Sequence, residues 1–136
     1  MALDTSPAGY AGVYLNNANS LQNRSISSTD FSFNYVCADG STTTCVAGGS
    51  PRLSIPIDST GDGVTDAYAF IDAGNCGSTG TVGTGAGCMV FYGATTYANW
   101  DAFAAANPTY TTGDAVAFVI ADQPFEGTIS NVVATK

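Results

Sequence analysis

Seven short apolar or β-branched runs, at residues 10–15, 31–37, 53–58, 66–72, 88–92, 115–121 and 128–135, are each bounded by Gly, Pro, Asn or Asp. Runs of this length with turn residues between them read as strands, and their number points to an antiparallel sandwich or barrel. In the second run Phe31, Phe33, Tyr35 and Cys37 fall on one face while Ser32 and Asn34 fall on the other. That period of two belongs to a sheet with one buried and one solvated side. A single segment departs from it. Trp100, Phe103 and Ala104 recur at helical spacing, Thr96 or Asn99 can cap the start, and Asn107-Pro108 ends it. The sequence shows no internal repeat and no long linker, so residues 1–136 are expected to form a single domain. The fold class is all-β: a jelly-roll-like antiparallel β-sandwich with one short helix and two disulfides. Residues 73–87 are glycine-rich and are expected to form a mobile loop.

A chain of 136 residues buries roughly two-thirds of the surface its unfolded form exposes. Its surface is unusual, because charged residues are only 10% of the chain where about 25% is ordinary. Ser, Thr, Asn and Gly take their place. Ten Asp and one Glu stand against Arg24, Arg52 and Lys136, for a net charge of −8. No basic patch is available to meet phosphates, which excludes nucleic acid and anionic membrane as partners. No stretch approaches 18 uninterrupted apolar residues, so membrane insertion is not expected. The start Met-Ala-Leu-Asp lacks the basic and apolar regions of an export signal, and Met1 is read as replacing a removed one. An Asn-Arg-Ser sequon at Asn23 is a possible glycan acceptor.

Four cysteines allow three pairings. Sequential pairing, Cys37 with Cys45 and Cys76 with Cys88, is favoured because each pair brackets a Gly, Ser and Thr-rich stretch that a bridge would staple to its own strands. Such a bridge restricts the unfolded chain and stabilises by roughly 2–3 kcal/mol. Zinc is disfavoured, since there is no histidine and the spacings of eight and twelve residues are not those of a zinc ribbon or knuckle. A surface that presents hydroxyls and amides where others present Lys and Glu is common outside the cell, so the chain is expected to be secreted.

The strongest chemical signal is Asp58-Ser59-Thr60-Gly61-Asp62-Gly63-Val64-Thr65-Asp66, with side-chain oxygens at its first, third, fifth and ninth places. Calcium takes six to eight oxygens at about 2.3–2.6 Å, and alternate residues of one loop supply them if a glycine turns the chain after the fifth. Gly63 is that residue. The expected ligands are Asp58, Thr60, Asp62, the Val64 carbonyl and Asp66, with water completing the shell. Three aspartates crowded into nine residues repel one another unless a cation neutralises them. The alternative is a polar turn whose aspartates cap backbone amides.

This loop resembles the nine-residue calcium loops D-x-[DN]-x-D-G-x-x-D of integrin α-subunit propeller repeats, and more distantly the first half of an EF-hand or dockerin loop. Ala69 stands where an EF-hand has its twelfth-place Glu, and Thr60 where the shorter pattern has Asp or Asn; both departures imply a weaker site. Alternation of Leu53, Ile55 and Ile57 before the loop and of Ala67, Ala69 and Ile71 after it implies that the loop joins two strands. Gly48 to Ile55, the loop, and the closing segment Gly127 to Val132 also resemble jelly-roll modules of secreted bacterial proteins, many of them glycan-binding.

With no histidine, one Glu and no free cysteine expected, nucleophile and base arrangements lack a base. Paired aspartates can hydrolyse a glycoside, but Asp30, Asp39, Asp101, Asp114 and Asp122 lie beside turns and strand ends where Asp is ordinary. The chain is therefore read as no enzyme. Arg52 is expected to pair with Asp72 or another strand-end carboxylate. Two functions fit. In the first, Tyr68, Tyr92, Tyr97, Trp100 or Tyr110 stack on the rings of a neutral polysaccharide, with Tyr97, Trp100 and Tyr110 as the leading ligand contacts. Against this, the spacing of Trp100 with Phe103 favours a core position for the indole. In the second, the chain is a structural subunit of an extracellular fibre, tubule or surface layer whose copies join through strand edges.

Overall fold

The computed structural model describes residues 2–4, 10–14, 22–46, 50–122 and 125–135. Its strands are β1 (Ala2–Asp4), β2 (Tyr10–Tyr14), β3 (Asp30–Cys37), β4 (Arg52–Asp58), β5 (Ala67–Asp72), β6 (Thr81–Gly83), β7 (Val90–Tyr92), β8 (Thr95–Tyr97), β9 (Thr111–Thr112), β10 (Phe118–Asp122) and β11 (Glu126–Thr135). The helix α1 (Trp100–Ala106) lies between β8 and β9.

Eight strands pair as if the chain were one long folded hairpin: β1 with β11, β2 with β10, β3 with β6 and β4 with β5, all antiparallel. Rolling that hairpin up distributes it over two sheets, ordered β1-β11-β3-β6 and β2-β10-β4-β5, the second extended by β7 and β8. This nested order is that of a jelly roll. The segment from β7 through α1 to β9 is an excursion between β6 and β10, and β9 returns to pair with β4.

The core lies where the inward faces meet. Phe31, Phe33, Tyr35 and Cys37 of β3 are buried and Ser32 and Asn34 half-buried, as their alternation predicts. From the opposite sheet Leu53, Ile55, Ile57, Ile71, Val90 and Val119 are wholly buried, and Phe125 just before β11 and Ile129 within it are buried as well. Full burial of one such side chain is worth about 1.5–3 kcal/mol. Strand β4 is buried along both faces from Leu53 to Asp58. Among the described residues no helix is long and apolar enough to cross a membrane.

Each of the seven apolar runs contains a strand, with Leu15 outside the described residues. Strands β1, β6, β8 and β9 are only two or three residues long, too short to leave an alternating signature. The glycine-rich stretch 73–87, expected as a loop, contains strand β6. A Cβ on Gly83 would lie 2.6 Å from the Ser32 Cβ and 2.7 Å from the Phe31 carbonyl oxygen, so the glycine allows β6 to close against β3. The same stretch is bridged by Cys76–Cys88, while Cys37–Cys45 closes the loop after β3.

Helix α1 starts at Asn99, whose side-chain oxygen accepts the Ala102 N–H at 2.8 Å. It buries Trp100, Phe103 and Ala104. The Trp100 indole N–H donates to the Ile26 carbonyl at 2.8 Å, and the residue is 3% exposed. Trp100→Ala is therefore expected to destabilise the protein by about 3–5 kcal/mol, as truncation of a buried large aromatic does. A denaturant titration of the variant with an unchanged slope checks this; a midpoint equal to wild type would place the indole outside the core.

Candidate functional site

The hairpin between β4 and β5 carries the acidic loop. Register pairs Ile57 with Ala67, and the Asp66 N–H donates to the Ile57 carbonyl at 2.8 Å, so the ladder closes just below the loop and holds both its ends. Gly61 and Gly63 take left-handed φ values of 83° and 82°, the conformation for which glycine has no Cβ penalty. The loop thus joins two strands, as the alternation on either side predicts.

Asp58 is 1% exposed and organises the turn. Its Oδ1 accepts the N–H groups of Thr60 and Gly61 at 3.0 and 2.7 Å, and its Oδ2 accepts that of Gly63 at 2.7 Å. Burial raises the pKa of this carboxyl, but the three amides and the Thr60 hydroxyl outweigh it and hold it below the usual carboxylate range. Asp62 Oδ1 accepts the Val64 N–H at 3.0 Å. Asp66 Oδ2 accepts from the Ser59 N–H and hydroxyl at 2.8 and 3.0 Å. Asp58, Asp62 and Asp66 each offer a carboxylate oxygen, and these atoms lie within 4.8 Å of one another.

Two oxygens bound at 2.3–2.6 Å on opposite sides of a calcium ion stand about 5 Å apart, so three carboxylate oxygens this close match the span of one ion. The Thr60 hydroxyl reaches Asp58 Oδ1 and Asp66 Oδ2 at 3.3 and 3.4 Å, which places its oxygen among the carboxylates. The Val64 side chain is 53% exposed, consistent with a residue that contributes only backbone to the loop.

Three neighbours of the loop left no signal in the sequence. Asp114, before β10, accepts the N–H and hydroxyl of Thr65 at 2.9 and 3.0 Å, and these bonds hold its carboxyl below the usual range. Gly113 is buried against Thr65, whose Oγ1 would lie 2.2 Å from a Cβ there. Tyr92 of β7 faces the loop from the sheet; burial first, then the Tyr110 hydroxyl and the Asp66 and Asp58 carboxylates, push its phenol above the ordinary value. All three are near the loop in space and distant from it in sequence, and turn residues such as Gly113-Asp114 are commonplace.

The aromatic candidates separate. Trp100 is in the core, the position its spacing favours, so it is withdrawn as a ligand contact: its indole is sealed between α1 and Ile26. Tyr97 and Tyr110 are half-buried and pack on Phe103 with ring centroids 5.1 and 6.1 Å away. Tyr92 joins the same group at 5.5 Å from Phe103 and 5.7 Å from Tyr110. These rings brace the helix against the sheet. Tyr68 lies on the opposite face of that sheet, against Phe118.

Arg52 pairs with Asp72 through Nε and, at 3.1 Å, through Nη2, as expected for a strand-end carboxylate directly opposite it. Two shallow grooves lie elsewhere. One, of about 330 Å³, contains Ser25, Ile26, Asp101, Ala104 and Pro108; the other, of about 180 Å³, contains Ala38, Asp39, Thr44, Cys45 and Glu126. In the second, Asp39 accepts the Ser41 N–H and the Thr44 hydroxyl at 2.9 and 2.8 Å, which keeps its carboxyl below the usual range. That is the chemistry of a turn. No protein-family model, curated protein or solved structure matches the chain.

A carboxyl whose folded-state pKa is lowered binds fewer protons than its unfolded form, so stability rises with pH between the two values. For Asp39, Asp58 and Asp114 the stabilising contribution is full above about pH 4, the ordinary carboxylate value, and is lost as pH falls through the lowered ones. Urea midpoints measured in chelator are expected to hold steady near neutrality and to drop below about pH 4. Asp114→Asn should remove part of that drop; a pH profile identical to wild type would detach Asp114 from the loop.

Proposed function

We propose that the chain is a non-catalytic, extracellular β-sandwich module, stabilised by calcium in the 58–66 loop, that binds neutral carbohydrate. The observation that carries the calcium assignment is the convergence of the Asp58, Asp62 and Asp66 oxygens to within 4.8 Å. Asp58, Thr60, Asp62, the Val64 carbonyl and Asp66 would hold the ion, which supplies the charge that three neighbouring carboxylates lack. Its role is structural: it ties the hairpin tip that Asp114 and Gly113 already press from the side.

The two disulfides support an oxidising, extracellular setting. The carbohydrate reading is supported by a surface with 10% charged residues and many hydroxyls and amides, groups that exchange hydrogen bonds with sugar hydroxyls. The shortness of β6 and β8, three residues each at one edge of either sheet, weighs against assembly through those edges, because very short edge strands resist strand addition.

Calcium is expected to raise the melting temperature and a chelator to lower it, since an ion bound only by the folded state stabilises by about 2.7 kcal/mol at a hundred times its Kd. In Asp62→Ala the difference should vanish. Differential scanning calorimetry with calcium, magnesium and chelator checks this; a melting point indifferent to chelator removes the calcium assignment. With calcium present, the protein should be retained by an insoluble neutral polysaccharide without releasing soluble sugar. Size exclusion should show a monomer, whereas calcium-dependent polymers would favour the structural subunit.

A further inference from the structure

Directly paired residues of neighbouring antiparallel strands project to the same side of a sheet. On the side of the larger sheet turned away from the core, the register aligns Phe91 of β7 with Phe70 of β5, Phe70 with Ser54 of β4, and Ser54 with Phe118 of β10. Tyr68 stands one pair further along, opposite Pro56. All four rings are half-buried and therefore partly open to solvent.

Three of the rings meet through Tyr68, and Phe91 is aligned beside Phe70 by register. Tyr68 stacks near Phe70 with centroids 6.5 Å apart and planes at 24°, and meets the edge of Phe118 at 5.4 Å. Tyr68 and Phe118 come from strands on opposite sides of β4, so their contact spans that strand. Beneath them Ser54 is 1% exposed, and its Oγ is the buried side-chain polar atom that has no hydrogen-bond partner among the described residues. A buried hydroxyl without a partner is an expense that native structures seldom carry. At the margin, the Arg52 guanidinium lies 4.8 Å from the Phe70 ring centroid and is neutralised by Asp72.

We propose that this aromatic face, with Ser54 at its centre, is the surface that holds a neutral polysaccharide; the proposal rests on the carbohydrate reading above and gives that reading a location. Aromatic ring faces carry negative charge and pack against the C–H faces of pyranose rings. The partly exposed Arg52 guanidinium presents N–H donors while the buried Asp72 cancels its charge, which suits sugar hydroxyls and offers little to a sulfate or phosphate. Ser54 Oγ is closed over by these rings, so a sugar hydroxyl supplies the partner it lacks only where Phe70 and Phe118 part to admit it. The site is thus on the sheet, and separate from Tyr97 and Tyr110, which lie on its core side.

The test uses the calcium-loaded protein and microcrystalline cellulose, chitin and insoluble starch as probes. Wild type should be retained by at least one of them. Phe91→Ala and Tyr68→Ala should each weaken retention about ten-fold, the loss of one aromatic contact, while Tyr68→Phe and Tyr97→Ala bind as wild type. Ser54→Ala should keep its melting temperature and lose affinity. Because Tyr68→Ala also removes packing, hydroxyl-radical footprinting of wild type with the soluble form of the retained polysaccharide provides an arm that needs no variant: Tyr68, Phe91 and Phe118 should be protected and Tyr97 and Tyr110 unaffected. Retention by wild type with no protection at these rings, and undiminished in Phe91→Ala, overturns this face and leaves the carbohydrate reading standing. Retention by none of the probes overturns that reading and this proposal with it. A dimer in sedimentation velocity that Phe91→Ala abolishes, with no polysaccharide retained, makes a second copy of the chain the occupant and overturns the proposal.

Discussion

Strand β4 is buried on both faces, and most of the structure depends on that condition. Leu53, Ile55 and Ile57 fill the space between the sheets, while Ser54, Pro56 and Asp58 are covered on the other side. A strand so enclosed cannot slip by one residue without driving its polar set into the core. Its neighbours β5 and β10 take their register from it, and its two ends carry the two polar constructions of the larger sheet, the Arg52–Asp72 pair and the Asp58 turn. Even β9, at the end of the excursion, is placed by pairing with Ile57 and Asp58.

The Asp58 turn shows two demands met by one carboxylate. Three backbone amides point at its oxygens, which shapes the loop around this carboxylate. Asp62 and Asp66 then stand close by with oxygens that the turn itself engages less completely. Amides stabilise the first carboxylate, and oxygens of the other two lie within 4.8 Å of it.

The aromatic residues divide by face in a way that composition conceals. Trp100, Phe103, Tyr92, Tyr97 and Tyr110 gather on the core side, where α1 closes one part of the sandwich. Tyr68, Phe70, Phe91 and Phe118 gather on the other side of the same sheet. Rings on the first side have a packing role that explains them. Those on the second side cover Ser54 and Pro56 and remain partly open to solvent.

Much of this was legible in the chain alone. Alternation in residues 31–37 and 53–58 identified inward faces correctly because a period of two is a local property of extended backbone. The pairing of Cys37 with Cys45 and of Cys76 with Cys88 was legible for the same reason, since each bridge closes a short loop. The acidic cluster of Asp58, Asp62 and Asp66 was likewise visible, because a single turn holds all three. What only the tertiary structure decided are the relations between distant segments: the nested pairing of β1 with β11 and β2 with β10, the support of Thr65 by Asp114, the closing of β6 on β3 through Gly83, and the ring surface assembled from β5, β7 and β10. Sequence determines what each strand buries; which strand lies beside it depends on long-range pairings whose loop-closure cost and packing gain are properties of the whole chain.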